Sequence, residues 1–99
     1  MTTPLVRPVA HRITHVAIRF RGVIHSLPAP NRHHDIIRKI VTDDPTVDCV
    51  DGEEDDQGFL DETGAYLTRW QALRVARHTG QLRTDRQVYA NRLFSENLW

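Results

Sequence analysis

Ile13-Thr14-His15-Val16-Ala17-Ile18-Arg19-Phe20-Arg21-Gly22-Val23-Ile24-His25-Ser26-Leu27 is the stretch that decides the fold. Val16, Ile18 and Phe20 alternate with His15, Ala17 and Arg19. That period of two is the mark of a half-buried strand. Arg21-Gly22 supplies a two-residue turn, since glycine takes positive φ without steric cost. Val23 to Leu27 then returns as a second strand. Such a turn sets Ile18 opposite His25 and Val16 opposite Leu27, so His25 shares the apolar face.

The rest of the chain is read outward from this hairpin. Pro4 and Pro8 mark residues 1–12 as a flexible N-terminal arm. Pro28-Ala29-Pro30 ends the hairpin, and Asn31 is a good N-cap. Ile36, Ile37, Ile40 and Val41 recur at helical spacing, which predicts a helix over 32–42 with one apolar stripe. Asp43-Asp44-Pro45 stops it. Val47-Asp48-Cys49-Val50 reads as a short buried strand, with Cys49 a small core residue. The run from Asp51 to Gln57 is too polar to pack and reads as an exposed loop. Gly58-Phe59-Leu60 and Ala65-Tyr66-Leu67, joined through Gly64, form a second hairpin. Thr68 with Gln71 is a capping-box pattern, and Gly80 suits the helix end. Trp70, Leu73 and Ala76 give that helix its apolar face, with core packing the expected role of Trp70. Residues 84–99 carry Val88, Tyr89, Leu93, Phe94, Leu98 and Trp99, so an ordered tail is expected. The fold class is α+β: a small antiparallel sheet from two hairpins packed against two helices, a single domain over 13–99.

Composition narrows the function. Among 99 residues, 39% are hydrophobic, enough for one modest core. No apolar run approaches the roughly 20 residues of a membrane span. No basic-then-apolar leader pattern opens the chain, so a cytoplasmic setting is expected. A single cysteine excludes an internal disulfide. Net charge is zero, yet ten of the thirteen acids lie between Asp43 and Glu62 without an intervening base. Twelve of the thirteen basic residues are arginine, whose planar fork suits phosphate and carboxylate. A neutral domain of this size is a poor partner for double-stranded nucleic acid.

Two basic clusters are candidate ligand sites. Arg32, His33 and His34 stand at a predicted helix start, where free N–H groups and the helix dipole favour an anion. Arg69 and Arg74 lie on the second helix, and Arg74 with Arg77, at i and i+3, forms a stripe able to grip phosphates. The plainer readings are a solvated first turn for the histidines and neutralisation of the acidic loop for the arginines. The acidic run 51–56 could instead imitate nucleic-acid phosphates before a basic protein. No Cys pair, His-Glu-x-x-His or complete calcium loop occurs, so no metal is expected. No phosphate-loop or dinucleotide glycine pattern and no nucleophile with a base nearby is present, so neither a cofactor nor a catalytic set is expected.

Arg32-His33-His34-Asp35-Ile36-Ile37-Arg38, Gln57-Gly58-Phe59-Leu60 with Gly64, and Leu93-Phe94-Ser95-Glu96-Asn97-Leu98-Trp99 resemble segments of a group of short proteins encoded mostly by tailed bacteriophages. Arg69, Ala72-Leu73, Ala76 and Gly80-Gln81 fit the same pattern. The resemblance covers residues 13–99. It implies a small phage accessory protein at work in the cytoplasm of an infected bacterium, where such proteins often counter host defence. Together with the arginine–histidine sites, the leading expectation is a non-enzymatic protein that binds a nucleotide or nucleotide-derived signal through Arg32, His33, His34, Arg69 and Arg74. Tyr66 or Trp70 could stack on its base. One alternative is an inhibitor of a host defence protein acting through loop 51–56. Another is a small hydrolase using His33 or His34. An exposed terminal tryptophan would favour a homo-oligomer. The histidines discriminate: a pocket mouth shared with an arginine favours a ligand, and a protruding acidic loop favours a protein target.

Overall fold

In the computed structural model the hairpin takes the register read from sequence. The structure describes residues 11–50 and 52–99. Strand β1 (Ile13–Phe20) pairs antiparallel with β2 (Val23–Pro28), with Ile18 opposite His25 and Val16 opposite Leu27. The turn holds both Arg21 and Gly22 at positive φ, 51° and 75°. That is the turn type whose twist matches two right-twisted strands.

The other elements follow as helix α1 (His33–Asp43), β3 (Gln57–Asp61), β4 (Tyr66–Thr68) and helix α2 (Arg69–Thr79). The sheet order is β2-β1-β3-β4, all antiparallel. Both hairpins therefore join one sheet through β1 and β3. Helix α1 lies against β1 and β2, and α2 against β3 and β4. The core forms between sheet and helices from Val16, Ile18, Phe20 and Phe59 below and Ile36, Ile40, Ala72, Leu73 and Ala76 above, all buried. Each of the larger apolar side chains among these contributes roughly 1.5–3 kcal/mol by leaving water, which is what holds the helices down, and the alanines let α2 approach the sheet closely. This is the α+β domain the alternation and helical spacing predict.

Several local expectations change. Helix α1 is capped at Arg32, not Asn31: the Arg32 N–H donates to the Asp35 carboxylate at 2.8 Å. Asn31 is drawn backward, its side-chain amide donating to the Pro28 carbonyl at 2.8 Å. Residues 47–50 do not form a strand. The Asp44 carboxylate takes the Thr46 N–H and hydroxyl, and the Val47 N–H donates to the Asp44 carbonyl. These bonds curl the exit from α1 and leave no extended edge to pair. Val47 still reaches the core, while Cys49 is exposed. Trp70 is 51% exposed and is not a core residue. Helix α2 begins as the sequence indicates, with Thr68 and Gln71 exchanging main-chain to side-chain bonds at 3.0 and 3.2 Å, and Gly80 ends it.

Residues 81–99 are ordered without regular structure apart from a 3-10 turn at Ser95–Asn97. Amide side chains replace a ladder there. Gln81 bonds both the N–H and the carbonyl of Ile13, at 2.8 and 2.9 Å, filling the gap left by a bulge in the β1–β3 pairing. Asn97, 1% exposed, accepts from the Phe94 N–H and donates to the Gln87 carbonyl. Most of the flexible arm expected over residues 1–12, namely 1–10, lies outside the described residues. His11 and Arg12 are tied to Glu62.

Gly58 marks the closest approach in the sheet. A Cβ there would overlap the Leu67 carbonyl oxygen and the Tyr66 ring. Backbone and an anchored ring cannot both yield, so Gly58→Ala should cost about 3 kcal/mol or more. A urea-unfolding midpoint close to that of the parent protein would contradict this account.

Candidate functional site

His33 occupies the first position of α1, where an anion-binding role was expected. Its side chain instead turns into the molecule, 8% exposed, edge-on to Phe59 at 5.0 Å between ring centres. Nε2 sits 2.7 Å from the Gly58 carbonyl oxygen. A carbonyl only accepts, so Nε2 carries the proton and donates. Burial pulls the His33 pKa down from 6.5 to about 4; the Gly58 bond opposes this and the charge of Arg69 adds to it. His33 is therefore a neutral structural donor at pH 7.

Arg32 is also engaged within the molecule. Its guanidinium donates to the Trp99 main-chain oxygen, lies 3.4 Å from the Ser95 hydroxyl and 3.6 Å from the Glu96 carboxylate. The Trp99 indole N–H donates to the Asn31 carbonyl at 2.8 Å. Arg69 donates to Gln57 Oε1 at 2.6 Å, and its guanidinium lies 4.7 Å from the Phe94 ring centre. Its buried Nε has no hydrogen-bond partner among the described residues. The ring's negative face is a partial substitute. Burial lowers the Arg69 pKa.

Four sequence segments thus meet at one junction: the start of α1, the start of β3, the start of α2 and the 93–99 segment. Arg32, His33 and Arg69 are brought together there as tie points. The family model of the phage T4 y16D protein matches residues 12–99, and so takes in all four segments. The chain belongs to the phage T4 y16D family. No curated protein and no solved structure matches it.

The remaining two candidates of this phage T4 y16D family member are separate from the junction. His34 is exposed, its ring 3.5 Å from the Asp35 carboxylate. Arg74 stands on the outer face of α2, its guanidinium 4.9 Å from the centre of the Trp70 ring. Residues 70, 74 and 77 recur at i, i+4 and i+7, which places them on one stripe about 10 Å long. Trp70, Arg74 and Arg77 are all exposed, and the buried Ala72, Leu73 and Ala76 form the adjoining face, with Leu73 bordering Trp70 and Arg77. Neither arginine joins an ion pair among the described residues. The acidic loop is neutralised from elsewhere: Arg19 binds Asp56 at 2.9 Å and Arg92 binds Glu54 at 3.1 Å. The Tyr66 hydroxyl donates to the Asp55 carbonyl at 2.8 Å. Burial pushes the Tyr66 pKa up to about 12, so it remains a donor at neutral pH.

Sequence reasoning placed Trp70 inside, although the signal to place it outside was present. Trp70 aligns with Arg74 and Arg77 as well as with Leu73, and it lies far round the helix from the buried Ala72 and Ala76. Among the described residues no three His, Cys, Asp or Glu side chains are grouped to hold a metal ion, and no helix is long and apolar enough to cross a membrane.

The buried, neutral His33 gives stability a pH dependence of definite sign. Its folded pKa lies below its unfolded value, so between pH 6.5 and about 4 the unfolded chain binds the extra proton. Stability is full above pH 6.5 and falls as the pH drops toward 4, by about 3 kcal/mol in all. Denaturant titrations at pH 7.5 and 4.5 should show the loss, and His33→Gln should flatten the His33 part of the slope. An identical slope in that variant would remove His33 as its source.

Proposed function

We propose that the protein binds a nucleotide or nucleotide-derived signal on the outer face of α2. Trp70 stacks on the base, and Arg74 and Arg77 hold the phosphates. The observation that carries this reading is the Trp70–Arg74–Arg77 stripe: an exposed indole, a guanidinium 4.9 Å from its ring, and two arginines without carboxylate partners among the described residues. Stacking on an aromatic ring contributes about 1–3 kcal/mol per base, and a charge-assisted bond to phosphate about 1.5–3 kcal/mol. Arg74 is retained from the residues first expected to bind. Arg32, His33 and Arg69 serve the reading only indirectly, by anchoring the parts of the fold around α2. Membership in a phage family supports a role in the infected cell, where sequestering a nucleotide signal would blunt host defence. The hydrolase alternative is left with His34 alone, since His33 keeps its Nε2 proton against the Gly58 carbonyl.

A second reading rests on the acidic loop. Arg19, Arg92 and Tyr66 fix it in place, and Glu53 and Asp55 are left exposed without an ion pair among the described residues. A rigid pair of carboxylates suits a basic protein surface, with binding that weakens as salt rises.

Native mass spectrometry with linear nucleotides, cyclic nucleotides and ADP-ribose derivatives separates the two. The expected result is one retained ligand, with affinity lowered about tenfold or more in Trp70→Ala and in Arg74→Ala/Arg77→Ala. Stacking should also quench tryptophan fluorescence, and the quenching should vanish in Trp70→Ala. Binding that survives both variants would move the site elsewhere. No retained mass across the panel would leave the acidic loop as the better reading.

A further inference from the structure

Strand β2 is an edge of the sheet, and among the described residues no strand pairs with its outer side. Val23 is 55% exposed and Ile24 47%. An open edge with apolar side chains is a template for another strand. The two-residue turn makes Phe20 and Val23 a hydrogen-bonded pair, so Val23, His25 and Leu27 direct their main-chain groups to β1. Ile24 and Ser26 direct theirs outward. Pro28 has no N–H, and its carbonyl accepts from Asn31. The open edge therefore offers two donors and two acceptors, on Ile24 and Ser26.

We infer that this edge pairs antiparallel with the same edge of a second copy of the chain. One register satisfies all four groups: Ile24 of each copy exchanges both bonds with Ser26 of the other, about a two-fold axis at His25. Such a contact is isologous, so the pair is closed and does not grow into a fibre. The same register sets Val23 opposite the second copy's Leu27.

The surroundings favour a second copy as the occupant. A groove of about 270 Å³ runs between β2 and α1, lined by Phe20, Val23, Leu27, Ile36 and Ile40, with Arg21, Lys39, Asp43 and Asp44 also in its wall. Strands across the new seam stand about 4.8 Å apart, and α1 lies over β1 and β2. The two copies of α1 then come to helix-contact distance, antiparallel, above the seam. Each presents Lys39 and Asp43, one turn apart and already paired at 2.8 Å. Both border the groove that faces the seam, so the two-fold turns a positive and a negative group of each copy toward the other. The charges match themselves, and the apolar groove is covered from both sides.

Light scattering at about 100 μM chain should report twice the 11.5 kDa of one chain. Ile24→Pro removes an outward N–H and leaves the β1 ladder intact; Val23→Lys puts a charge into the seam. Each should give a folded monomer by circular dichroism. The register has its own test. Facing residues of a non-hydrogen-bonded pair lie about 4.5 Å apart at Cα, within disulfide reach. His25→Cys, made in a Cys49→Ser background, should therefore cross-link into a covalent dimer on oxidation, and Val23→Cys should not. A folded monomer at 100 μM overturns the inference. So does a dimer that survives both edge variants, or one in which His25→Cys stays uncross-linked.

Discussion

The hydrogen bond from the His33 ring to the Gly58 carbonyl connects the two ββα halves of the molecule. His33 opens the helix of the first half, and Gly58 lies in the first strand of the second. The bond forms only with a neutral imidazole placed against Phe59, so helix position, core packing and protonation state are one condition. Gly58 is constrained from its other side as well. It leaves room for the Tyr66 ring, whose hydroxyl reaches the Asp55 carbonyl, and Arg19 lies 5.4 Å from that ring's centre. A single glycine thus relates the helix layer to the acidic loop across the thickness of the sheet.

The 93–99 segment completes the arrangement. It supplies Leu93 to the core, Phe94 beneath the Arg69 guanidinium, and Trp99 to the start of α1. Polar groups hold it: the Arg32 and Asn97 side chains and the Arg83 N–H, which donates to the Asn97 carbonyl, make bonds that strand or helix backbone would make elsewhere. This explains why a cluster of basic residues at a helix start binds within the chain. Arg32 finds its partners more than sixty residues later, at Glu96 and the Trp99 main chain, and His33 finds its own at Gly58.

The parts of the fold legible in sequence are those fixed by local rules. Alternation over 13–20, a turn with one glycine, the Thr68–Gln71 capping box and two apolar stripes are short-range signals, and each is realised. What failed were positions where a long-range partner or a competing short bond decides. The Asp44 carboxylate curls residues 44–47 away from a strand. Asp35 captures Arg32 and moves the helix cap by one residue. His33 looks like a solvated or ligand-facing histidine until Gly58 is beside it. Trp70 shares helical spacing with the buried Leu73 and with the exposed Arg74 and Arg77, so it stands at the border of the apolar face, where spacing alone fits either side.

The sheet order has a consequence for how the chain assembles. Strand β1 is central, but its two neighbours come from very different distances along the chain. Its pairing with β2 closes a two-residue turn and can form within microseconds. Its pairing with β3 joins residue 16 to residue 59 and must wait until α1 and the acidic stretch are gathered in. Until then the nascent hairpin has two open edges, one of which the finished protein covers with β3.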